Sequence, residues 1–184
     1  MKVRFVLTLI ALVLSTVAHA GQWVLDGSAA FHADGKTLGG VGASHFDVDG
    51  DGVKVAGSAE VLADGTAKVD AIADVTKLDT KIDERTEHAR TKFLNVAKFP
   101  TLKLLIDPFK LGVDQRWCGK LTMKTETKPV CGVASVEGDD ARKTVTASFT
   151  MNLDDYPSFG DRTFLGNGIE KAVTVTVKAE AKKK

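Results

Sequence analysis

The sequence predicts an all-β protein, an antiparallel barrel or sandwich, on three observations. Apolar and polar residues alternate with a period of two along most of the chain. Asp-Gly and Gly-Asp pairs punctuate the alternation, and only one segment, around 83–95, carries a helical pattern. Period two sends successive side chains to opposite faces of a strand, so each run has one face to bury.

The first twenty residues read as an export signal. Lys2 and Arg4 supply the positive start, Phe5 to Val17 forms an apolar run of 13 residues, and Ala18-His19-Ala20 matches a small-x-small cleavage site. The run is shorter than the roughly 20 residues that span a bilayer, and no cysteine follows the cut to carry a lipid. The expectation is a periplasmic protein beginning at Gly21, with a single domain over 21–184 of ordinary size for one core. Without Lys2 and Arg4 the 25 basic side chains fall to 23, against 24 acidic ones. Such a balance gives no reason to expect a nucleic-acid partner. No later segment is apolar enough to span a membrane. The basic end through Lys182-Lys183-Lys184 reads as a solvated tail, with transient contact to anionic lipid as the alternative.

Nine runs read as strands. Trp23, Leu25, Gly27, Ala29 and Phe31 share one face of the first, and Leu38, Gly40, Gly42, Ser44, Phe46 and Val48 of the second. Val53 to Val61 and Ala67 to Val75 alternate in the same way as the third and fourth. After the helical segment come Leu102-Leu104-Ile106, Leu121-Met123, Val130 to Val136, Val145 to Leu153 and Val173-Val175-Val177. Asp34-Gly35, Asp49-Gly50-Asp51-Gly52, Asp64-Gly65 and Gly138-Asp139-Asp140 supply turns. Asp64-Gly65 between two alternating runs is a hairpin signal.

In the helical segment Thr80 and Asp83 resemble a capping box, with acids early and Arg90 and Lys92 late, as the helix dipole favours. Ala89, Phe93 and Val96 make an apolar stripe, Arg85, His88 and Lys92 an adjacent basic one, and Pro100 stops the helix.

The inward face is small on the early runs (Gly27, Ala29, Gly57, Ala59, Ala67, Ala71) and bulky on the later ones. A small barrel either fills with side chains or holds one small ligand. The small half therefore predicts an apolar tunnel, unless the barrel flattens and packs its own halves together. Cys118 and Cys131 flank a turn. A turn centred between Lys124 and Thr125 pairs them directly, whereas one centred on Thr125 to Lys128 puts Ser135 opposite Cys118, and two free thiols are the other outcome.

Catalysis and metals find little support. Asp47 to Gly52 resembles the start of a calcium loop, but Ser58 stands where the bidentate glutamate belongs and no helix precedes it. His32, His45 and His88 are scattered without ligand spacing. No catalytic residue, metal or cofactor is expected.

The segment Arg85, His88, Arg90, Phe93, Leu94, Phe99 and Pro100 resembles the signature of the YceI-like family, departing from it at Thr86, Ala89, Thr91, Lys92 and Asn95. Gly119, Leu121, Thr122, Met123, Thr127, Lys128, Pro129 and Val130 resemble its second block, with Thr125 in place of a glycine. Trp23, Asp26 and Ser28 fit its opening strand and Phe159-Gly160 its late Phe-Gly, so the likeness covers 22–180. The resemblance implies a lipocalin-like antiparallel β-barrel of about eight strands enclosing the tail of a polyisoprenoid, quinone or fatty-acid-like lipid. The tail-contacting and head-group candidates are Phe31, Phe46, Arg85, His88, Phe93, Phe99, Leu104, Met123 and Phe149. The alternative is a stress or interaction protein with a self-packed barrel.

Overall fold

A computed structural model describes residues 20–37, 45–159, 163–164 and 167–184. Nine strands and one short α-helix run in the order β1 (Gly21–Thr37), β2 (His45–Val61), β3 (Thr66–Asp74), α1 (Asp83–His88), β4 (Thr101–Lys110), β5 (Gln115–Met123), β6 (Glu126–Gly138), β7 (Arg142–Asn152), β8 (Thr163–Phe164) and β9 (Asn167–Lys183). Each long strand pairs antiparallel with its neighbour, and β1 pairs with β9 as well as with β2. Eight long strands thus close into a barrel, and the two-residue β8 only extends the edge of β9. The export signal and the start of the predicted second strand, Leu38 to Ser44, lie outside the described residues.

The alternation survives as burial. Trp23 and Leu25 on β1, Val53 and Val55 on β2, and Leu121 and Met123 on β5 are buried, while the residue between each pair is more exposed. The outer wall carries Lys68 bonded to Glu60 and Lys103 bonded to Asp70, exposed pairs that solvent screens. A transmembrane barrel has the opposite arrangement, with an apolar band outside. No described helix is long and apolar enough to cross a membrane.

Two predicted turns are corrected, and the first, Asp34-Gly35, lies within β1 and pairs with Asp47 and Phe46 of β2. Asp49 to Gly52 does not separate two strands but lies within β2. The glycines there answer crowding. A Cβ on Gly50 would sit 2.1 Å from Cε1 of Phe31, and one on Gly52, at φ 77°, would sit 2.1 Å from the Lys77 carbonyl oxygen. Asp51 meanwhile bridges to Asp79, tying β2 to the segment before α1. By contrast, Asp64-Gly65 does turn a hairpin, with Gly65 at φ 80° and the Asp64 carboxylate accepting the Thr66 N–H at 2.9 Å. Between β5 and β6 the turn is Lys124-Thr125, which sets Cys118 directly opposite Cys131. The two form a disulfide with Cα atoms 4.0 Å apart.

The helical segment follows its predicted range but not its predicted geometry. After α1, residues Ala89–Leu94 wind as a π-helical turn, ending where Asn95 turns left-handed at φ 54°. The expected capping box is absent, since Ile82 precedes α1 without a side-chain cap. Thr80 is instead buried against Thr86, whose hydroxyl accepts the Thr80 N–H at 2.9 Å. The Val75 N–H bonded to the Pro100 carbonyl closes the base of the whole excursion.

Candidate functional site: a capped cavity inside the barrel

The barrel is hollow. A cavity of about 920 Å³ runs between the inward faces of the long strands, walled by residues such as Leu25, Val55, Val69, Leu104, Ala147 and Val177. The small inward residues on β2 and β3, Ala59, Ala67, Ala71 and Ala73, all line it. They do not reach across to the bulky half, and that is the physical reason space remains. At about 30 Å³ per water, the volume holds on the order of thirty water-sized or methylene-sized groups.

Polar residues meet the cavity at its two ends. At one end stand Asp47, Thr80, Lys81, Arg85 and His88, together with the half-buried rings of Phe31, Phe46 and Phe93. Lys81 and Ile82 are exposed and also line the cavity, so this end, under the helical segment, opens to the surface. Hydrogen bonds fix the lid. An Arg85 Nη2 donates to the Thr80 carbonyl oxygen, and Arg90 Nε donates to that of Leu78 at 2.8 Å. Arg85 Nε is buried without a hydrogen-bond partner. The Lys81 ammonium is committed to Asp51 at 2.6 Å, a bond that raises its pKa. The Lys81 N–H, then the charges of Lys81 and Arg90, hold the Asp79 carboxyl below the usual range. Arg85 and His88 line the cavity from the helical segment.

Of the candidates, Phe31, Phe46, Arg85, His88, Phe93, Leu104, Met123 and Phe149 line the cavity. Phe99 does not, and this corrects its selection: the left-handed turn at Asn95 carries the chain away, leaving the Phe99 ring half-buried with the Lys98 ammonium 5.2 Å from its centroid. Lys92 is likewise exposed and off the lining, because the π-turn breaks the α-helical spacing that placed it beside His88. Sequence reasoning missed Trp117, buried edge-on to Phe149 at 5.6 Å between centroids. It shares inward parity with Leu121 and Met123, so extending that run back to Gln115 would have found it. Trp23 and Trp117 keep their indole N–H groups buried without partners, each at a cost of about 1–3 kcal/mol.

His32, Asp34 and Asp47 bring ligand-type atoms within 4.8 Å of one another on the exposed rim. The His32 Nδ1 is already bonded to Asp49 at 2.8 Å, and none of these side chains is buried. The group forms an exposed acidic rim in which the histidine is already engaged by a carboxylate.

The YceI-like domain profile matches residues 23–181. The chain belongs to the YceI-like family. Its two sequence blocks now have places in the fold, the first forming the lid and the second the β5–β6 hairpin. No curated protein shows significant sequence similarity to it. Among solved structures it is similar to BcnA of Burkholderia cenocepacia, at 12% identity and a TM-score of 0.62 over 83% of this chain and 95% of that one. It is also similar to a polyisoprenoid-binding domain of Saccharophagus degradans, at 14% identity and 0.58 over 90% and 100% of the two chains. A mutant YceI protein of Campylobacter jejuni matches at 15% and 0.59 over 80% and 90%. At these identities the likeness is one of fold, shared with this YceI-like chain as a closed barrel.

Proposed function

We propose that this YceI-like protein is an exported carrier that buries the tail of one long-chain amphiphile in its barrel and holds the head group beneath the lid. The observation that carries the reading is the apolar cavity of about 920 Å³ opening beside Arg85 and His88. Burial alone supplies affinity, at about 0.8 kcal/mol per methylene. Arg85 and His88 offer charge-assisted hydrogen bonds to a phosphate or carboxylate. Phe31, Phe46, Phe93, Leu104, Met123 and Phe149 would contact the tail. The ligand is a polyisoprenoid, quinone or fatty-acid-like lipid; the S. degradans domain is described as polyisoprenoid-binding, which makes polyisoprenoids the first probes.

The proposed organisation is a leader removed after Ala20 and one binding domain over 21–184, without a catalytic residue or resident cofactor. The Cys118–Cys131 disulfide suits an oxidising compartment and supports a periplasmic location. The polar outer wall suits a carrier that meets membranes only in passing. Native mass spectrometry of gently purified protein tests the reading: a defined lipid mass is expected, lost on delipidation and regained on feeding polyprenyl phosphate or fatty acid. A bare mass throughout would favour an interaction protein whose cavity stays unused.

A further inference from the structure

We propose that Lys143 and Trp23 form the floor of the tunnel and set the length of tail it accepts. The inference rests on the carrier reading above and specifies which tails that carrier can hold.

Val145, Ala147, Phe149 and Met151 all point inward from β7 and line the cavity, and Lys143 occupies the next inward position on the same strand. It is half-buried and lines the cavity too. A lysine on the inward face of an apolar barrel is costly unless its stem packs on apolar surface and its ammonium escapes. Here the ammonium lies 5.4 Å from the ring centroid of Trp23, itself only 4% exposed, within range of a cation–π contact.

Register places this pair at the end opposite the lid. Lys143 pairs with Ala181, which pairs with Leu25 near the start of β1. The lid instead meets the other end of the barrel wall, through the bridge from Asp79 to Asp51 of β2. At this end hydrogen-bonded turns and strand ends join the wall. Asp139 accepts the N–H groups of Ala141 and Arg142 at 2.8 and 2.7 Å, the Lys183 N–H donates to the Ala141 carbonyl at 3.1 Å, and that of Lys184 to Gln22 at 2.9 Å. A tail entering under the lid therefore advances through apolar wall until it meets the Lys143 stem and the Trp23 ring.

The test uses straight-chain saturated fatty acids graded by chain length as probes, with dissociation constants measured for the wild type and Lys143→Ala. In the wild type, affinity should rise up to about fourfold per added methylene and then flatten where the tail reaches the floor. Lys143→Ala removes the stem and should move that break to longer chains, so that the longest probes gain on the order of tenfold or more. A break at the same length in both proteins, with binding otherwise intact, overturns the floor but leaves the carrier reading standing. Failure of every fatty acid to bind overturns the floor, and the carrier reading falls with it if polyprenyl phosphate also fails to bind. A second measurement needs no variant: a fatty acid with a photoreactive diazirine at its methyl end is crosslinked to the unmodified protein. Adducts on Trp23, Val61, Phe109 or Lys143 are expected. Adducts confined to Phe31, Phe46 or Phe93 would show a tail that stops short or lies reversed, and would sink the proposal.

Discussion

Tyr156 is the single tyrosine of the chain and is almost wholly buried, with its hydroxyl 3.4 Å from the Leu121 carbonyl. Burial, and then the charges of Asp155 and Glu126, push its phenol up from 10.0 to about 12. The folded pKa is raised, so the contribution of this group is intact below pH 10.0 and is lost as pH climbs toward about 12. Following the phenolate absorbance in a pH titration should show no ionisation at pH 10.0 in the folded state, and ionisation at the ordinary pH would contradict this burial. His32 offers the complementary case on the rim. The Asp49 carboxylate raises its pKa, with Asp47 and Asp34 adding to the shift. Asp49→Asn should therefore lower the imidazole titration midpoint measured by NMR, and an unchanged midpoint would mean the contact at 2.8 Å is not held in solution. At this scale, parity alone made Phe31, Phe46, Leu104, Met123 and Phe149 legible as inward residues. Phe99 was misplaced because no sequence pattern announces that Asn95 will turn left-handed, and Lys143 was overlooked because its charge hides its inward parity.

The elements divide by how local their causes are. Asp64-Gly65 encodes its own hairpin, and so it was readable. The lid range was readable from its apolar stripe, but its π-turn was not, because the extra residue per turn is settled by how Leu94 buries itself and where Arg90 finds the Leu78 carbonyl. Thr80 looked like a cap and proved to be an anchor. Replacing its partner, Thr86→Val, leaves the buried Thr80 N–H unsatisfied and should destabilise the lid by about 1–3 kcal/mol. Hydrogen exchange should then show the lid amides opening about tenfold faster or more, with the strand amides little affected; uniform protection would mean the lid is held elsewhere. The β5–β6 hairpin carries its own brace. A disulfide spanning 13 residues of sequence stabilises by about 3 kcal/mol through the unfolded chain. Replacing both cysteines with alanine should lower the denaturation midpoint accordingly, with the lipid-binding stoichiometry retained.

For the whole molecule, the all-β class and the antiparallel barrel followed from alternation and turn spacing, since one buried face per strand leaves few other ways to cover it. That the barrel is hollow was foreshadowed by the small residues on β2 and β3. Whether the wall would collapse onto them depends on eight strands closing together, which no local window contains. A hollow barrel should also be stabilised by what fills it. At a free ligand concentration a hundredfold above Kd, linkage adds about 2.7 kcal/mol, which for a domain of this size raises Tm by roughly 5–10 °C. A melting temperature indifferent to saturating lipid would mean that the lipid does not bind the folded protein in preference to the unfolded chain.

The seam between β1 and β9 has one further consequence, for assembly. It joins Trp23 to Lys183, two residues separated by almost the entire described chain. Contacts so distant in sequence form slowly, and until they form, both strands present open edges able to recruit other chains. The ring cannot shut before β9 is available, so the unpaired intermediate is the species a cell must protect. Loss of β9 should accordingly yield aggregates rather than a weaker binder.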